Sequence, residues 1–124
     1  MHPAMIVGLG GAIGSIARWG IYELIPPNTT TEIPWSTVSI NLLGAFLLGI
    51  IMALSKIYTI NPDITLFIAM GILGGFTTMS TFGFETFSLF ESNKTSSAII
   101  YILLNLLAPI MAWFGWTTTH SFIA

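Results

Sequence analysis

The sequence predicts an all-α membrane protein: four transmembrane helices, the third of them broken, forming a single domain over residues 1–124. Three observations predict it. Hydrophobic residues make up 54% of the chain and charged residues only 6%, whereas about a quarter of a soluble domain is charged. Each span of a bilayer takes about 20 mostly apolar residues, so 124 residues hold four spans with short connections and no separate soluble domain. A run unsuited to helix, Gly74-Gly75-Phe76-Thr77-Thr78, interrupts the third apolar stretch.

The first span is expected from about Ala4 to Ile25, ended by Pro26-Pro27, which cannot continue a helix. Met1-His2-Pro3 lacks the basic region of a signal peptide, and Arg18 stands where a cleavable leader would stay apolar, so this helix is expected to be retained. A polar, Thr-rich loop follows from Asn28 to Ile33. Pro34 suits a helix start, and the second span runs from about Trp35 to Ser55, closed by Lys56 and Tyr58 at the interface. Asn61-Pro62-Asp63 supplies a cap, a first-turn proline and an acidic residue, and the third span extends from there to about Glu91. Ser92-Asn93-Lys94-Thr95 forms a turn. The fourth span covers about Ser96 to Thr119, bent at Pro109.

Adjacent glycines and β-branched threonines make a poor helix interior, so a break is expected at 74–78. Non-helical backbone at membrane depth survives only against protein or a water-filled cavity. Freed carbonyls there would line an ion site, as in discontinuous transporter helices; a glycine kink that serves packing is the other reading. Charge gives no orientation. Lys56 lies on one side, Lys94 and the Arg18 end of the first helix on the other, so the positive-inside bias is close to nil. Either three basic residues are too few to count, or the protein inserts both ways and pairs antiparallel.

Polar residues inside apolar spans are the functional candidates. Gly11, Gly14, Ser15 and Arg18 share one face of the first helix. The small residues allow close helix approach, and Arg18, costly at that depth, is read as facing an aqueous vestibule rather than snorkelling. Asn41 sits in an apolar run, where a buried amide either ties helices together or faces a polar pathway. Thr81, Glu85, Ser88 and Ser92 line one stripe of the third helix, with Met79 one turn earlier and Phe82 at its border. The positive edge of the Phe82 ring can face a dehydrated anion, and the Ser80 and Thr81 hydroxyls can donate to it. Phe84, Phe87 and Phe90 read as lipid-facing or core. Tyr101 and Asn105 form an i, i+4 pair on the fourth helix, where pore lining and interhelical bonding remain equally open.

Other classes are excluded. Three basic residues and a net charge of −2 leave no surface for nucleic acid. Cysteine is absent, His2 and His120 are terminal, expected to be solvated and without ligand spacing, and no nucleophile–base set or phosphate loop occurs, so an enzyme is not expected.

Three segments together resemble one family. Gly10-Gly11-Ala12-Ile13-Gly14-Ser15-Ile16-Ala17-Arg18-Trp19, Thr37-Val38-Ser39-Ile40-Asn41-Leu42-Leu43-Gly44, and Gly74-Gly75-Phe76-Thr77-Thr78-Met79-Ser80-Thr81-Phe82 followed by Glu85 are similar in order and spacing to the Fluc/CrcB fluoride channels. The third segment is the specific one. The resemblance implies a dual-topology antiparallel dimer in the plasma membrane, in contact with lipid, that exports fluoride passively and limits its toxicity. It also implies a structural sodium ion at the dimer centre, held by the backbone carbonyls of Gly74 and Thr77. It places Asn41, Ser80, Thr81, Phe82, Tyr101 and Asn105 along the fluoride pathway, Arg18 at the vestibule and Glu85 beside the path. Met79 falls on the pathway too, but departs from the family, which usually has a second pore phenylalanine there; the partner is then a second copy or a related subunit in a heterodimer. The rival reading is a small multidrug transporter, also a four-helix antiparallel pair. It would need a membrane carboxylate for proton exchange, and Glu85 is the one plausible candidate, since Glu23 lies near a helix end.

Overall fold

The computed structural model describes residues 1–26 and 32–123, and all regular structure among them is helical. Four helices are long and apolar enough to cross a membrane: Pro3–Leu24, Trp35–Ile57, Pro62–Glu91 and Thr95–Ile123. The first is α1 (Pro3–Leu24) and the second α2 (Trp35–Ile57). The third comprises α3 (Pro62–Thr65), a π-helical stretch at Leu66–Leu73, α4 (Gly74–Phe76) and α5 (Ser80–Glu91). The fourth comprises α6 (Thr95–Asn105) and α7 (Ala108–Ile123).

Local chemistry sets the ends. Proline opens α1, whose first turn is capped when the Ala4 N–H donates to His2 Nδ1 at 3.1 Å. Most of the expected loop at 28–33, together with Pro27, lies outside the described residues. Across that connection the Ser36 hydroxyl donates to the Ile25 carbonyl at 2.7 Å and ties the two helix ends together. α2 runs two residues beyond Ser55 and takes Lys56 into its last turn. The Asn61 side chain caps α3 by accepting from the Asp63 N–H at 2.8 Å. α6 stops at Asn105 because Pro109 has no N–H for the Asn105 carbonyl and its ring would crowd that carbonyl. α7 continues past Thr119 to Ile123.

Glycines let the spans meet backbone to backbone. A side chain at Gly10 would fall 2.6 Å from the Phe67 carbonyl oxygen, and one at Gly14 would strike the Ile72 carbonyl oxygen. Gly75 faces Gly11 in the same way, so α1 lies flush on the π-helical stretch and α4. The partner contact joins α2 to α7, with Gly49 against Ala112 and Gly115 against Phe46. Such close approach supplies the dispersion contact that replaces a hydrophobic drive in lipid.

The buried core is small: Val38, Leu89, Ala98 and Tyr101 form one cluster, with Phe82 packed on it. Large apolar side chains point outward instead, among them Phe84, Phe87 and Phe90, as a lipid-facing surface requires. His120 departs from the expected solvated position. It stacks on Trp116 with centroids 4.6 Å apart, and its Nε2 is buried without a partner among the described residues. The Lys56 ammonium lies over the same indole, 5.5 Å from its centre.

Candidate functional site

Helical geometry stops between α4 and α5. Thr77 has φ −76° and ψ 157°, an extended conformation, and helix resumes at Ser80. The backbone groups released there can be followed one by one. In a continuous helix the Thr78 N–H would bond the Gly74 carbonyl; here it donates to Asn41 Oδ1 at 2.8 Å. The Thr81 N–H, due to the Thr77 carbonyl, donates instead to Thr78 Oγ1 at 3.2 Å. The Gly75 carbonyl accepts from Arg18 Nε at 3.1 Å. Side chains therefore take the Thr78 and Thr81 N–H groups, and the Gly74 and Thr77 carbonyls lose their helical donors. Gly44 makes room on α2 for the Thr77 side chain, whose methyl would overlap any Cβ there.

Asn41 is the keystone of this arrangement. Its Nδ2 donates both to the Thr78 carbonyl at 3.0 Å and to Asn105 Oδ1 at 2.9 Å. Asn105, buried in turn, donates from Nδ2 to the Tyr101 carbonyl at 3.0 Å. One amide thus clamps both backbone groups of Thr78 and joins the second, third and fourth spans.

One helical turn further along, Glu85 Oε1 accepts two hydroxyls, from Thr37 at 2.6 Å and from Tyr101 at 2.8 Å. Tyr22 OH lies 2.8 Å from Thr37 Oγ1. Tyr101 is fully buried, and the Phe82 ring meets it in a T-shaped contact with centroids 5.2 Å apart. A groove of about 1040 Å³ opens beside these residues, and Asn41, Gly74, Thr77, Met79, Phe82 and Asn105 are among those lining it.

The structure brings Asn41, Asn105, Tyr101, Phe82, Glu85 and Thr81 into one connected region. Ser80 stands apart on the outer surface, and Met79, which lines the groove, has 76% of its area exposed. Arg18 and Glu85 engage different partners: Arg18 is fastened to the third-span backbone and Glu85 to hydroxyls. The sequence reading missed three participants, Tyr22, Thr37 and Thr78. Spacing could have found the first two. Tyr22 is four residues beyond Arg18 on the same helix face, and Thr37 is four before Asn41. Thr78 contributes its backbone and a turn-capping hydroxyl, which no side-chain pattern reveals.

Known proteins share much of this sequence. The family described as CrcB-like protein, Camphor Resistance (CrcB), matches residues 5–116. A Clostridium acetobutylicum protein named fluoride-specific ion channel FluC 2 is 41% identical over 109 residues, covering 88% of this chain and 90% of its own length. The Thermus thermophilus fluoride-specific ion channel FluC is 37% identical over 117 residues, 94% of each chain. A Methanococcus aeolicus protein of the same name is 39% identical over 111 residues, covering 90% of this chain and 89% of its own. With four apolar spans and a match over nearly its whole length, this multi-pass membrane protein belongs to the CrcB-like family.

Proposed function

We propose that this chain is a subunit of a fluoride-selective channel through which fluoride leaves the cell passively across the plasma membrane, limiting fluoride toxicity. Family membership and relatives named for fluoride support the ion's identity. The observation that carries the reading from geometry is the extended Thr77, at mid-span, with its neighbouring N–H groups claimed by Asn41 and Thr78. Fluoride is small and holds its water tightly, so a selective path must replace hydration with closely spaced donors while staying narrow. Asn41, Asn105 and Phe82 line the groove; the proposed path runs past them, the Thr81 and Tyr101 hydroxyls and the outer Ser80, and fluoride would take donors that now bond within the protein.

The active unit is a dual-topology antiparallel dimer, of two copies or of this chain with a related subunit. The even spread of three basic residues supports insertion both ways, and the exposed Gly74, Met79 and Ser80 at mid-span call for a protein neighbour rather than lipid. In such a pair the third spans cross at their breaks. The Gly74 and Thr77 carbonyls, having lost their helical donors, fit a hard cation that prefers oxygen. Two such carbonyls from each subunit would hold a sodium ion, which would neutralise the converging carbonyl dipoles and fix the crossing. Arg18 supports this region through the Gly75 carbonyl and places positive charge near an approaching anion.

A small multidrug transporter would need Glu85 to exchange protons, yet its Oε1 is held by two hydroxyls. Replacing Phe82 by Ile keeps an apolar side chain and removes the ring edge. Fluoride flux from reconstituted liposomes is expected to fall to the protein-free background, with the dimer unchanged in size on gel filtration. Retained wild-type flux would remove Phe82 from the pathway.

A further inference from the structure

We propose that Tyr22 is a further positioning residue of the pathway, acting through Thr37 on Glu85. The proposal rests on the channel reading above and follows from counting protons. Each hydroxyl has one proton to give. A carboxylate only accepts, so the Thr37 proton is committed to Glu85 Oε1 at 2.6 Å. The 2.8 Å contact between Tyr22 and Thr37 therefore has one consistent direction: the phenol donates and Thr37 Oγ1 accepts. The result is a directed chain from Tyr22 on α1 through Thr37 on α2 to Glu85 on α5, joined there by the Tyr101 hydroxyl from α6.

Thr37 has no exposed surface, so no water replaces a lost partner. Thr37 stands in the first turn of α2, where its hydroxyl has a local alternative in the Pro34 carbonyl three residues earlier. The Tyr22 phenol opposes that alternative by holding Oγ1 in the orientation that faces Glu85, and donation into Thr37 strengthens its own donation onward. With both hydroxyls in place the negative charge of Glu85 stays on the protein side of the path. With Thr37 turned away, the carboxylate gains freedom to swing toward the groove. There it repels the anion and competes for its donors.

Tyr22→Phe removes one oxygen and keeps the ring. Fluoride efflux is expected to fall about 3–10-fold, the scale of one hydrogen bond lost. Thr37→Val should lower flux at least as far, and adding Tyr22→Phe to Thr37→Val should change nothing more. Thr37→Ser, which keeps the hydroxyl, should restore sensitivity to Tyr22→Phe. The carboxylate infrared band of Glu85, assigned by its loss in Glu85→Gln, should shift in Tyr22→Phe but not when Thr37 is Val. Wild-type flux in Tyr22→Phe, the same proportional loss in the Thr37→Val background, or an unmoved band would each overturn the proposal. A wild-type protein that passes no fluoride would defeat the channel reading itself, and the band shift, which needs no flux, tells that failure from this one.

Discussion

Asn41→Leu should reduce fluoride efflux to background, a loss as complete as that expected of Phe82→Ile. The Asn41 amide satisfies the Thr78 N–H, the Thr78 carbonyl and Asn105 Oδ1 together. Leucine fills similar volume and satisfies none of them. Each buried polar group left unpaired costs about 1–3 kcal/mol, and within a bilayer no water is at hand to offset it. The backbone at Thr78 then has two ways out: it rewinds, returning its N–H to the Gly74 carbonyl, or it collapses onto the groove. Either way the donors along the path are misplaced. Asn41→Asp separates amide donation from acceptance. It can still accept from the Thr78 N–H but sets a carboxylate against the Thr78 carbonyl and Asn105 Oδ1, so it should fail as well. Flux at the wild-type level in Asn41→Leu would show that this amide only ties helices together.

Gly14→Val should cost assembly rather than conduction. A Cβ at Gly14 would strike the Ile72 carbonyl oxygen and lie 2.8 Å from the Phe76 N. These obstacles are backbone atoms of the third span, so no rotamer change relieves them, and α1 has to move away. Overpacking costs about 1–3 kcal/mol where side chains can adjust; here a backbone must shift, which puts the effect at the upper end or beyond. The fraction recovered as a monodisperse species after detergent extraction should fall steeply, and flux with it. Gly20→Val is the control, because nothing lies within 4 Å of that position. Equal behaviour of the two variants would contradict the close seating of α1 on the third span.

Much of the architecture is legible in the sequence because few forces set it. Apolar length defines four spans, and Pro26, Pro62 and Pro109 mark boundaries through the N–H each lacks. The small residues of the first helix are legible as a packing face, although Gly10 and Gly14 carry the tightest contacts and Arg18 turns onto the Gly75 carbonyl. The polar pairings are another matter. Asn41 and Asn105 stand out as amides in apolar runs, but nothing in their spacing says that they bond each other at 2.9 Å. That is fixed by how α2 and α6 cross. Glu85 reads as one polar residue in a stripe, and its fully buried partners Thr37 and Tyr101 come from two other spans. The π-helical stretch at Leu66–Leu73 is also hidden, since its strongly apolar sequence suits an ordinary helix equally well.

The central claim is that a mid-span stretch of extended backbone, with its amides and hydroxyls, passes dehydrated fluoride and rejects larger ions. Liposomes loaded with fluoride and chloride and carrying the wild-type protein, read with ion-selective electrodes once an ionophore collapses the potential, test it most directly. The account predicts prompt fluoride efflux while chloride and a co-loaded organic cation stay trapped. Fluoride retained, or chloride or the organic cation released alongside it, would contradict it.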